Sequence, residues 1–214
     1  MRELIGANWI ILTPIVILSI AALAVIIERV GFFYRIRPRS ADKMSEAMAR
    51  IGRYPTEHIL SALNPKDVSP AKELLSAALT TRVRSVPQLY KQRLEALRDR
   101  SLDRMERHLP ILPGIGNIAT LMGLFGTVSG MITAFSRMTE TGNSDPYVLA
   151  GGISRALVTT AAGLAVAIPS MLAHNLLEAL VDHHADQMEE VLTECLSNSG
   201  KSYARTRESK TTSA

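Results

Sequence analysis

Two long apolar stretches, residues 111–135 and 147–177, are joined by a short polar turn. Neither contains an Asp or Glu, and Arg155 is the only charged side chain in either. Each is long enough, at about 1.5 Å of helix per residue, to cross a hydrocarbon layer about 30 Å thick. Both are rich in small and hydroxylated residues rather than in the Leu, Ile and Phe of a lipid-facing anchor. Ala119, Gly123 and Thr127 recur at intervals of four, and so do Gly126, Gly130 and Ala134. The second stretch presents Gly152, Ala156, Thr160, Gly163 and Ala167 as a face that includes a hydroxyl, with Thr159 beside it. Small residues let helix backbones approach closely. Two neighbouring stripes on one helix predict tight packing on two sides, as a subunit in a ring requires.

The rest of the chain takes its place around this hairpin. The sequence is 47% hydrophobic, but that content is gathered in three blocks separated by charged sequence. A soluble domain would spread it periodically. The first block carries Trp9 near its outer end, where an indole suits the interface, and Pro14, which lipid-embedded helices tolerate. Ala22-Leu23-Ala24 resembles a signal-peptide cleavage site, but Arg2-Glu3 is not a basic leader and the apolar run continues past the cut. Arg29, Arg35, Arg37 and Arg39 follow the block, the pattern of an uncleaved span whose amino end lies outside. From residue 29 to 109 there are 17 Lys and Arg against 9 Asp and Glu, which places this region in the cytoplasm. Prolines cut it into helical pieces at 41–51, 57–63, 71–84 and 89–108, the last with Leu94, Leu97, Met105 and Leu109 at near-heptad spacing.

The expected fold is therefore an all-α integral membrane protein with three transmembrane helices. They occupy 1–28 (amino end periplasmic), 110–136 and 147–177. A cytoplasmic helical region fills 29–109 and a periplasmic turn 137–146. The third span continues as a cytoplasmic helix over 178–197, and the Ser-, Thr-, Lys- and Arg-rich tail 198–214 is expected to be disordered.

Catalysis is not indicated. No phosphate-cradling loop and no nucleophile with a base is visible. Cys195 is alone, so no internal disulfide forms, and low aromatic content gives no stacking surface for nucleic acid. His183 and His184 are adjacent and point about 100° apart on one helix, which does not make a metal site. No cofactor is called for. His108 and His174 read as interfacial residues at span ends. Thr127, Thr159 and Thr160 have two readings: a bond returned to their own backbone, or the lining of a polar ion path. Moving a proton through a bilayer needs a titratable group at depth, and neither stretch carries a carboxylate. Either nothing is conducted, or the acid belongs to another protein.

The segments Gly123-Leu124-Phe125-Gly126-Thr127-Val128-Ser129-Gly130 and Gly152-Ile153-Ser154-Arg155-Ala156-Leu157-Val158-Thr159-Thr160-Ala161-Ala162-Gly163-Leu164 resemble the MotA/TolQ/ExbB proton-channel family, on its ExbB and TolQ side. The resemblance implies a pentameric ring in the inner membrane of a Gram-negative bacterium. It further implies a dimer of an ExbD- or TolR-like single-span partner whose aspartate titrates at the centre of the ring. Proton flow would then do work on a TonB- or TolA-like protein. It also implies that Thr127 and Thr160 face the pore. Where that family commonly carries a glutamate near the start of the third span, this chain has Arg155, expected at the periplasmic mouth. A guanidinium stays charged and cannot relay a proton. Function is expected to be that of an ExbB-like motor subunit energising TonB-dependent outer-membrane transport. The alternatives are a TolQ-like envelope-maintenance subunit and a non-conducting membrane scaffold. Helix packing is assigned to Ala119, Gly123, Gly126, Gly130, Gly152, Ala156, Gly163 and Ala167.

Overall fold

A computed structural model of the chain describes residues 9–36, 58–59, 68–81, 87–141 and 146–211. Five helices are defined: α1 (Trp9–Ile36), α2 (Pro70–Thr81), α3 (Pro87–Glu106), α4 (Ile111–Thr141) and α5 (Pro146–Thr211). Three of the first helical positions are proline, where the missing N–H would have had no intrahelical partner and φ is already set for a helix. The prolines thus start the helices that they delimit in the sequence. Pro14 and Pro169 lie inside α1 and α5 without ending them. Of the expected pieces at 41–51 and 57–63, all but residues 58–59 lie outside the described residues.

Two boundaries differ from expectation. Helix α4 runs to Thr141, five residues into the stretch read as a turn. No Gly or Pro interrupts the sequence before Gly142, and the Thr139 hydroxyl bonds back to the Ser136 carbonyl at 2.7 Å. Helix α5 continues to Thr211, through most of the stretch 198–214 expected to be disordered. Its Lys, Ala, Arg and Glu are good helix formers. Polar composition reports solvation, and it does not by itself end a helix.

The chain divides into two compact units, Met1–Val30 with His108–Glu178, and Gly31–Arg107 with Ala179–Ala214. In the first, the buried side chains are mostly small: Ala22, Ala119, Ala134, Ala156, Thr159, Ala167 and Ser170. Many large ones point outward, among them Ile17, Ile20, Leu121, Phe125, Ile132, Leu157, Ile168 and Leu172, while Ile15, Leu112 and Ile115 are buried. That is the inverse of a water-soluble core, and it suits a surface solvated by lipid. Three helical stretches, in α1, α4 and α5, are long and apolar enough to cross a membrane.

The second unit has an ordinary interior. Helix α2 buries Ala71, Leu74, Leu75, Ala78 and Leu79, and packs against α3, whose Tyr90 hydroxyl donates to the Ala78 carbonyl at 3.2 Å. Of the near-heptad positions on α3, Leu94 and Met105 are buried and Leu97 is half-buried. Past its apolar part, α5 buries Val181, His184, Met188, Val191, Leu192 and Cys195, a seam at steps of three and four. His184 occupies one of its positions, its ring nearly parallel to that of Phe33 at 6.4 Å.

Candidate functional site

The face that holds α4 against α5 is built almost without side chains. A methyl group added to Gly123 would stand 3.1 Å from both the Thr159 carbonyl oxygen and the Thr160 Cα. On Gly130 it would meet Ala156 Cβ at 2.9 Å, and on Gly163 the Ala119 carbonyl oxygen at 2.5 Å. On Gly126 it would overlap the Thr159 side chain, and on Gly152 the Ala134 methyl. Gly116 lies against Ala167 and Met171. The pairs run antiparallel, so all eight residues assigned to helix packing meet in this one contact, together with Gly116 and Ala134.

This corrects one expectation. The two stripes of α4 do not serve two sides. Seven residues make nearly two full turns, so Ala119 and Gly126 point the same way, and the stripes merge into a single face. That face is filled by α5 of the same chain.

The three threonines are placed differently from one another. Thr160 donates its hydroxyl across the contact to the Gly123 carbonyl at 2.9 Å. Thr159 is fully buried between the helices and donates to the Ala156 carbonyl on its own helix at 2.7 Å, with Gly123 O at 3.5 Å. Its place is inside the hairpin, with the packing residues. Thr127 stands off the shared face, half-buried, and returns its hydroxyl to the Leu124 carbonyl at 2.6 Å. Arg155 is half-buried on α5, next to Ala156. Among the described residues no group of three or more His, Cys, Asp or Glu is arranged to hold a metal ion.

At the end of the unit where α4 begins, the structure gives partners to His108 and His174, read from the sequence as interfacial, and brings in Glu28 and Ser170, which sequence reasoning did not single out. Glu28 accepts a bond from the Arg29 guanidinium at 2.8 Å and lies 3.2 Å from His108 Nδ1. His108 has a φ of 68°, the left-handed conformation that commonly follows a helix end and usually falls to glycine. On α5, Ser170 is buried and His174 faces Glu178 at 3.5 Å. Their four-residue spacing was a signal available in the sequence; their graded exposure was not.

With this geometry in view, comparison with known proteins is decisive. Residues 66–190, more than half of the chain, match the model of the MotA/TolQ/ExbB proton channel family. The chain belongs to that family. It is 30% identical over 188 residues to an ExbB-like biopolymer transport protein of Synechocystis sp., covering 86% of this chain and 73% of that one. It is 32% identical over 160 residues to biopolymer transport protein exbB1 of Vibrio cholerae, covering 66% and 68% of the two chains. It is also 34% identical over 84 residues to the Tol-Pal system protein TolQ of Haemophilus influenzae, covering 39% and 37%. The relatives support the ExbB and TolQ branch. A proton channel of this kind is a transport component rather than a member of an enzyme class, and the three apolar helices fit a membrane protein.

Proposed function

We propose that this protein is the ring-forming subunit of a motor in the bacterial inner membrane driven by the proton-motive force, ExbB-like in energising TonB-dependent outer-membrane transport. Several copies, five by family resemblance, enclose a central space. A dimer of an ExbD- or TolR-like single-span partner threads that space and contributes the titrating aspartate, and a TonB- or TolA-like protein receives the work. One observation carries this reading. The chain belongs to a proton channel family, yet its two hairpin stretches contain no carboxylate, so the acid must come from another chain. Thr127 and Thr160 are the hydroxyls offered to the path, Thr127 from outside the α4–α5 contact and Thr160 from its partly exposed edge. Arg155 lies toward the periplasmic mouth, and the basic region 29–109 with α5 beyond the third span lies in the cytoplasm. A TolQ-like role in envelope maintenance is the second reading, favoured by the match to TolQ of Haemophilus influenzae.

Vesicles reconstituted with the complex isolated from membranes provide the test. A proton flux is expected that disappears when the aspartate in the partner's span is replaced by asparagine. Absence of any such flux would leave only the scaffold. Within this chain, Thr160→Val removes the bond to Gly123 O, a loss of about 0.6 kcal/mol for a typical bond between membrane helices. The oligomer is expected to survive and the flux to fall. Loss of the oligomer would show that Thr160 serves packing alone.

A further inference from the structure

The face of α5 that carries Thr160, Gly163 and Ala167 continues through Ser170, His174 and Glu178, again at steps of three and four. Ser170 is 1% exposed and donates its hydroxyl to the Val166 carbonyl at 2.7 Å. The His174 side chain is 19% exposed, with Nε2 at 3.5 Å from a Glu178 carboxylate oxygen, and the Glu178 side chain is 58% exposed. The three therefore descend from a dry position to a wet one along a single helix. Nδ1 of His174 is buried and has no hydrogen-bond partner among the described residues. Ser170 stands about one turn before His174 on this helix, and Glu178, which His174 Nε2 faces, about one turn after it.

The geometry points to His174 as the proton acceptor at the cytoplasmic exit of the ion path, with Ser170 behind it and Glu178 as its outlet to water. This rests on the motor reading and names a residue of this chain within it. Titratable groups are otherwise missing from the route. The α4 stretch 111–135 contains none, and from α5 the only other charge within 147–177 is Arg155, about 28 Å away along the helix. At this end of the unit, the charged groups contributed by α1 and by the turn before α4 are Glu28, Arg29 and His108, which engage one another. The step breaks one O–H bond, in the hydronium ion that brings the proton in, and one N–H bond, on the imidazole. The neutral imidazole takes a proton on its free nitrogen while the N–H on the other nitrogen releases one to the Glu178 carboxylate or to water. One proton enters, one leaves, and the imidazole ends neutral as the opposite tautomer, reset by turning over.

The full-length protein, purified with its membrane partner and sealed into vesicles loaded with a pH dye, tests this. His174→Ala and the similarly sized His174→Gln are both expected to lower the flux by roughly tenfold or more with the oligomer intact. Imidazole added to the His174→Ala vesicles is expected to restore it, which a purely structural histidine would not allow. Flux unchanged in both variants, or lost and not restored by imidazole, overturns the assignment. Wild-type vesicles without partner-dependent flux refute the motor reading itself.

Discussion

Gly126→Ala is the most direct probe of the α4–α5 contact. The new methyl carbon would lie 2.6 Å from Thr159 Cβ, and Thr159 is fully buried. No rotamer of Thr159 moves its own Cβ, so relief requires the helix backbones to part. Overpacking of this kind costs about 1–3 kcal/mol, and the rigid neighbour puts this site near about 3 kcal/mol. Exchanging glycine for alanine inside a helix returns about 1 kcal/mol, so the net loss is about 2 kcal/mol. Gly151 is the control: it is helical, and an added methyl there meets nothing within 4 Å, so Gly151→Ala keeps the gain of about 1 kcal/mol. Two chemically identical substitutions should thus shift stability in opposite directions. Helical circular dichroism followed through an SDS titration in mixed micelles reads both. Adding Thr159→Gly to Gly126→Ala moves the space from one helix to the other and should recover part of the loss, with a coupling of about 0.5–3 kcal/mol. A Gly126→Ala protein as stable as the parent, or a double variant no better than the two singles summed, would refute this close approach.

Two further outcomes follow from the second unit and from the turn before α4. Burial pushes the His184 imidazole below its ordinary pKa of 6.5, with His183 adding to the effect and Gln187 opposing it. The unfolded chain then takes the proton first as pH falls, so this contribution is complete above about pH 6.5 and is lost as pH drops toward the folded value. Labelling of Cys195, the single cysteine and buried in the same unit, taken relative to a free thiol at the same pH to remove the fall in thiolate, should accelerate on acidification. In His184→Leu, compared at each pH, that acceleration should vanish; an identical profile in both proteins would discount His184. At His108, left-handed backbone costs a side chain about 1–2 kcal/mol, while an exposed ion pair contributes little, so His108→Gly should raise the thermal midpoint. A lowered midpoint would show that the Glu28 contact outweighs the strain.

Much of this protein is legible along a single strand of text. Spans can be read because hydropathy over twenty residues decides whether a helix is solvated by lipid or by water. The missing carboxylates of 111–135 and 147–177 are equally plain, and they are the reason a second protein is proposed to bring the acid. The eight small residues of the packing face were identifiable from periodicity alone. Pro70 and Pro87 were legible as breaks between helical pieces, and the structure makes them the first residues of α2 and α3.

Tertiary structure decided what those faces touch. Periodicity describes one helix, whereas a contact depends on which distant segment fills the space beside it. The sequence offered two stripes on α4, and the fold joined them and filled them with α5. Thr159 and Thr160 are neighbours in sequence, yet 100° of helix rotation buries the first and turns the second across to Gly123. Ser170, His174 and Glu178 share a spacing that any reader can count, but only packing grades them from dry to wet. Composition sets the solvent for each segment, and the partner on each face sets the chemistry left available.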